Sequence, residues 1–87
     1  MPPVYEILLE QRAERDLRRL SAEKFHQLIA AINALAENPR PPGCRKITGS
    51  RSDWRIRVGD FRVLYEIVEK SKVIRVMRIR HRREVYQ

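Results

Sequence analysis

Arg55, Arg57 and Arg62 alternate with apolar residues on either side of Gly59-Asp60, and the chain then closes on His81-Arg82-Arg83-Glu84-Val85-Tyr86. Guanidinium groups offer planar forks of donors to phosphate oxygens and stay charged at any physiological pH, so they suit anion binding better than proton abstraction. His81 and Tyr86 supply what the arginines lack: imidazole titrates near neutrality, and a phenol among cations can exchange a proton. Metal-free cleavage of RNA by its own 2′-hydroxyl needs a proton acceptor, a donor for the leaving 5′ oxygen and positive charge around the phosphate. The segment holds residue types for all three. The blander alternatives are a solvated face on which Glu66 balances the arginines, an exposed terminal His81, and a Tyr86 ring packed over a sheet edge. No serine or cysteine nucleophile context, glycine-rich phosphate loop or metal-ligand spacing supports another reaction class.

These side chains must be positioned by a hairpin. Trp54–Val58 and Phe61–Ile67 read as strands joined by the two-residue turn Gly59-Asp60, with glycine taking the positive φ. That turn sets Val58 opposite Phe61, Arg57 opposite Arg62, Ile56 opposite Val63 and Trp54 opposite Tyr65. One face is then apolar and the other collects the three arginines. Like charges directly opposed repel, so Arg57 across from Arg62 is a local cost that a bound anion removes. Lys70-Ser71-Lys72 marks a second turn, and Val73–Ile79 gives a further strand before the basic terminus.

The apolar face needs a cover, which the first half of the chain provides. Val4–Leu9 reads as a strand at the edge of the sheet, with Tyr5, Ile7 and Leu9 on one side. Ala13, Leu17 and Leu20 recur at helical spacing over Gln11–Leu20. Ser21 then suits an N-cap, and Phe25, Leu28, Ile29, Ile32, Leu35 and Ala36 form the stripe of a second helix. That helix is expected to run to Asn38, because Pro39 disfavours helical geometry in the residue before it.

Composition narrows the partners. The 87 residues carry a net charge of +8 and one cysteine. Residues 50–87 hold eleven Lys/Arg against five Asp/Glu, whereas residues 1–49 hold eight against six. Most of the excess therefore lies beside the arginine strands, as a surface for an anionic polymer requires. The length suits one domain over residues 1–87 with a modest core. Cys44 alone cannot build a disulfide framework or a multi-cysteine zinc site and reads as a loop spectator. No apolar run nears the roughly 20 residues of a spanning helix, and the start does not resemble a signal peptide, so a soluble cytoplasmic protein is expected.

The ordered pieces together resemble the RelE/ParE toxin superfamily of bacterial toxin–antitoxin modules. The likeness is carried by the strand-helix-helix opening, Asn38-Pro39, Lys46-Ile47-Thr48-Gly49, the Trp54–Tyr65 hairpin and His81–Tyr86. The resemblance implies an α+β fold in which two N-terminal helices pack on a mostly antiparallel twisted sheet. For the RelE-like branch it implies a cofactor-free, metal-independent endoribonuclease that enters the ribosomal A site and cuts mRNA to a 2′,3′-cyclic phosphate. Arg55 and Arg57 then match basic residues that contact the scissile region, with Arg78 and Arg83 adding to the RNA-binding set. Arg62 matches the arginine that stabilises the phosphate, Arg80 or Arg82 the terminal arginine proposed as acid, and Tyr86 the tyrosine at the 2′-hydroxyl; His81 stays in play through branches that use a histidine. Better-known relatives carry lysine where Arg55 and Arg57 stand, which keeps the charge and gives up proton transfer. The implied partners are a cognate antitoxin, the ribosome with its message, and operator DNA only through the toxin–antitoxin complex, with no membrane. The ParE-like branch implies instead a toxin that inhibits DNA gyrase by binding, without cutting RNA.

Overall fold

The computed structural model describes residues 4–85. Its elements are β1 (Glu6–Leu9), α1 (Gln11–Arg18), α2 (Ala22–Ala34), β2 (Arg45–Lys46), β3 (Asp53–Val58), β4 (Phe61–Val68), β5 (Val73–His81) and α3 (Arg82–Val85). The five strands form one sheet in the order β1-β5-β4-β3-β2, antiparallel except where β1 runs parallel to β5. The parallel pair arises because α1 and α2 carry the chain across the sheet between β1 and the hairpin, a crossover that antiparallel neighbours do not need. β1 is an edge strand, as its position in the sequence suggests.

The β3–β4 register is the one that the two-residue turn dictates, from Val58↔Phe61 through Arg57↔Arg62 to Trp54↔Tyr65. Gly59 has φ 61° and Asp60 does not share the positive φ, the pattern of a turn with glycine at its first central position. Ile56, Val63, Tyr65, Ile67, Ile74, Val76 and Ile79 bury one face of the sheet beneath Ala13 and Leu17 of α1 and Leu28, Ile32 and Leu35 from α2 and its end. Each of the Val, Leu and Ile side chains among them contributes about 1.5–3 kcal/mol through burial.

Ser21 caps α2, its Oγ accepting from Lys24 N–H at 3.2 Å. At the other end α2 stops at Ala34, short of the expected Asn38. Leu35, Ala36 and Glu37 donate to the carbonyls three residues back, so the last turn tightens before Pro39 can matter. The Ala36 carbonyl then accepts Tyr5 N–H at 3.1 Å and ties the end of α2 to the start of β1. α1 ends at Arg18, not Leu20, by the same tightening. β5 runs to His81, beyond the expected Ile79, and so brings Arg80 and His81 onto the sheet.

The β4–β5 turn carries a carboxylate hub. Glu69 accepts from the Tyr5 hydroxyl at 2.9 Å, Lys72 Nζ at 3.2 Å and Arg40 Nη2 at 3.3 Å. The Tyr5 hydrogen bond, then that from Lys72, holds the Glu69 carboxyl below its ordinary value of 4.5. A carboxylate depressed in this way stabilises the fold above its unfolded pKa, and the contribution is lost as pH falls through the folded one. Glu69→Gln should therefore show a slightly shallower fall in Tm than the parent between about pH 5 and about pH 3, the effect being small at so exposed a site.

Candidate functional site: an arginine cleft on the open sheet face

Strand alternation turns Arg55, Arg57, Arg62, Leu64 and Arg80 away from the helices. Arg57, Arg62 and Arg80 are direct neighbours across three strands, a row about 10 Å wide at roughly 4.8 Å per strand. Arg45 and Arg55 pair in the adjoining row. A cleft of about 510 Å³ is lined by Gly43, Arg45, Arg55, Arg57 and Arg62. A second cleft, about 490 Å³, shares Arg55 and Arg62 and is lined further by Lys46, Ile47, Thr48, Leu64 and Arg80. Arg62 is only 3% exposed at the centre, whereas Arg57 is exposed at the rim.

Glu66, the carboxylate expected to balance these arginines, is spent elsewhere. Glu66 accepts from Arg75 Nε at 2.9 Å and Ser52 Oγ at 3.1 Å, and Arg75 Nη1 also meets Glu10 at 2.8 Å. The Glu66 interaction, foremost, raises the Arg75 pKa. Glu66 thus does not balance the hairpin arginines, and no ion pair among the described residues includes Arg45, Arg55 or Arg57. The concentration of positive charge that Arg45, Arg55 and Arg57 bring to this face favours a multiply charged anion.

The C-terminal candidates separate by face. Arg80 shares the second cleft, and Arg82, whose N–H donates to Asp60 O at 2.7 Å, lines a smaller one of about 120 Å³ with Arg57 and Arg62. His81 lies opposite Phe61 on the other side of the sheet, ring centroids 5.3 Å apart, and its Nδ1 accepts Arg83 N–H at 3.3 Å. It does not join the arginine row. Arg83 is exposed and lines a further open cleft of about 690 Å³ with Asp60, His81 and Arg82, outside the two arginine clefts. Arg78 is engaged by α1: its Nε donates to Asp16 Oδ2 at 2.9 Å, and the same carboxylate accepts Ile79 N–H at 2.9 Å. Tyr86 lies outside the described residues.

The loop that brings Gly43 and Arg45 to the cleft is tied down from the core side. The Tyr65 hydroxyl, on a fully buried ring, donates to Pro39 O at 2.6 Å, and the Arg40 guanidinium lies 5.1 Å from the Trp54 ring centroid. Burial pushes the Tyr65 phenol well above its ordinary value, so it remains a donor. Arg45, Gly43 and Asp16 were not singled out by sequence. A two-residue strand leaves no periodic signal for Arg45, and Asp16 is one charged residue among several beside the buried stripe of Ala13 and Leu17, with its partners more than sixty residues away.

Among the described residues no group of three or more His, Cys, Asp or Glu is placed to hold a metal, and no helix is long and apolar enough to cross a membrane. What the face offers is phosphate binding and stabilisation of charge that develops on phosphate oxygens.

Known proteins share this fold. A candidate toxin RelE1 of Methanocaldococcus jannaschii is 26% identical over 86 residues, covering 95% of this chain and 96% of its own. The RelE–RelB complex of Pyrococcus horikoshii contains a chain that superposes with a TM-score of 0.81 at 24% identity, over 91% of this chain and 96% of that one. A chain of the Mycobacterium tuberculosis toxin–antitoxin complex RelBE2 gives 0.80 at 21%, over 92% and 99%. The isolated Escherichia coli RelE toxin gives 0.74 at 25%, over 94% and 90%. The family model described as the ParE toxin of the type II toxin–antitoxin system parDE matches residues 7–86; the chain belongs to this family, within the RelE/ParE superfamily of type II toxins.

Proposed function

We propose that this toxin is a metal-independent endoribonuclease that cuts mRNA in the ribosomal A site and so arrests translation in the cytoplasm. The observation that carries the reading is the convergence of Arg55, Arg57 and Arg62 on one cleft of about 510 Å³, with Arg80 beside Arg62 in the cleft that shares Arg55 and Arg62. Arg55 and Arg57 hold the phosphate groups flanking the scissile bond. Arg62, desolvated and fixed by its neighbours, stabilises the charge that builds on the non-bridging oxygens as the 2′-oxygen attacks. Arg80 or Arg82 is the proposed donor of the proton that the leaving 5′ oxygen takes up, and the guanidinium regains that proton from solvent. Tyr86 is the proposed acceptor of the 2′-hydroxyl proton, a role for which a phenol is suited where cations favour its phenolate. The products are a 2′,3′-cyclic phosphate and a 5′-hydroxyl.

A cognate antitoxin is the proposed partner in the resting cell, as RelB is named with RelE in the complexes from P. horikoshii and M. tuberculosis. An acidic antitoxin segment would meet the arginine row in place of RNA, and operator DNA would be engaged only by the joint complex. The second reading, inhibition of DNA gyrase by binding, is favoured by one finding: the matching family model is that of ParE.

Expression without antitoxin separates the two. The nuclease reading expects 5′ ends at fixed codon positions on translating messages, and Tyr86→Phe should reduce them at least tenfold, the lower part of the general-base range of about 10²–10⁴ being blunted by the remaining arginines. Intact messages with trapped gyrase–DNA complexes would replace it with the ParE-like reading.

A further inference from the structure

β5 changes phase partway along. Ile74 and Val76 bury two residues apart, yet the next buried residue is Ile79. A regular strand would turn residues at that spacing to opposite faces. The ladder to β4 resolves the conflict: Tyr65 pairs with Val76 and Leu64 with Arg78, which leaves Met77 as the extra residue of a bulge. Without that extra residue being absorbed, alternation from Val76 would send Arg78 and Arg80 beneath the helices and set Ile79 and His81 among the arginines.

Asp16 sits at this step. β1 leaves β5 after the Leu9↔Val76 pair, so Ile79 N–H, which points to the edge, has no strand beyond it. Asp16 Oδ2 accepts that N–H at 2.9 Å and Arg78 Nε at 2.9 Å, while Oδ1 lies 3.3 Å from Arg78 Nη2. The Asp16 side chain is 14% exposed, so these charge-assisted bonds are partly shielded from water.

We propose that Asp16 is a positioning residue of the arginine cleft: its hold on Ile79 and Arg78 keeps the bulged register that sets Arg80, and not His81, beside Arg62. The catalytic consequence rests on the nuclease reading; the register itself rests on geometry alone.

Two readouts test it on the full chain. Cross-strand proton contacts by NMR between Val63 and Ile79 report the register, and single-turnover cleavage of message on ribosomes reports the cleft. Asp16→Ala should weaken the Val63–Ile79 contact, with a competing Val63–Arg78 contact appearing, and slow cleavage about tenfold, the scale of a modest misplacement. Deleting Met77 in that background should restore both, because a strand lacking the extra residue makes the same pairings as a regular ladder. A merely stabilising ion pair would not be rescued in this way. Should Asp16→Ala fold poorly, Asp16→Asn must still weaken the contact, since it loses the charge that grips Arg78. A Val63–Ile79 contact at parental strength in these variants, or no recovery on deleting Met77, overturns the proposal. If the nuclease reading alone is wrong, Arg62→Met leaves any cleavage intact while the NMR register still responds to Asp16.

Discussion

Arg62→Met is expected to slow message cleavage by about a hundred- to a thousandfold, the scale of removing one preorganised donor from a developing oxyanion, while the far-UV circular dichroism stays that of the parent. Methionine is the informative replacement because Arg62 is nearly fully buried. Alanine would also remove the aliphatic stem and leave a void, so lost packing and lost charge would be confounded. Arg62 flanks both arginine clefts and stands between Arg57 and Arg80, so one side chain serves the whole row. Arg62→Lys should fall between the two, since it keeps a charge but not the planar fork. Arg57→Gln, at the exposed rim, should cost less, because solvent screens that charge. A folded Arg62→Met protein that still arrested growth at parental levels would remove the cleft from the chemistry.

How much of this was legible beforehand follows from how local each cause is. The β3–β4 register was readable because a two-residue turn leaves one pairing, and pairing decides faces; hence the shared side of Arg55, Arg57 and Arg62. The N-cap of α2 was readable because Ser21 acts on an amide three residues away. The end of α2 was not, because it is set by bonds to carbonyls three residues back and by the distant Tyr5 amide, neither of which Pro39 announces. The placement of His81 was hidden for a related reason. Its face depends on a bulge at Met77, and the sequence marks this only by the three-residue gap between Val76 and Ile79. The role of Arg78 was likewise hidden, since its partner Asp16 lies on α1 and sequence distance conceals the contact. Glu66 was a fair candidate to neutralise the hairpin arginines until Arg75 and Ser52 were seen to occupy it.

Leu28→Ala is the complementary case, expected to damage the fold and spare the cleft. Leu28 is 1% exposed on the face of α2 that also buries Ile32, and it belongs to the core with Val63, Tyr65, Ile74 and Val76. Truncation at such a site costs about 2–5 kcal/mol, from lost transfer energy and the cavity that remains. Small domains hold only about 5–15 kcal/mol in total. At roughly 4–8 °C per kcal/mol, Tm should drop by about 8–40 °C in a thermal scan. Cleavage measured well below the new Tm should nonetheless stay near parental, because β4 alternates Val63 and Tyr65 toward α2 with Arg62 and Leu64 toward the open face, and Leu28 lines neither cleft. A folded Leu28→Ala protein whose cleavage dropped as far as that of Arg62→Met would mean that helix packing shapes the cleft through the sheet, and the separation of the two faces would have to be abandoned.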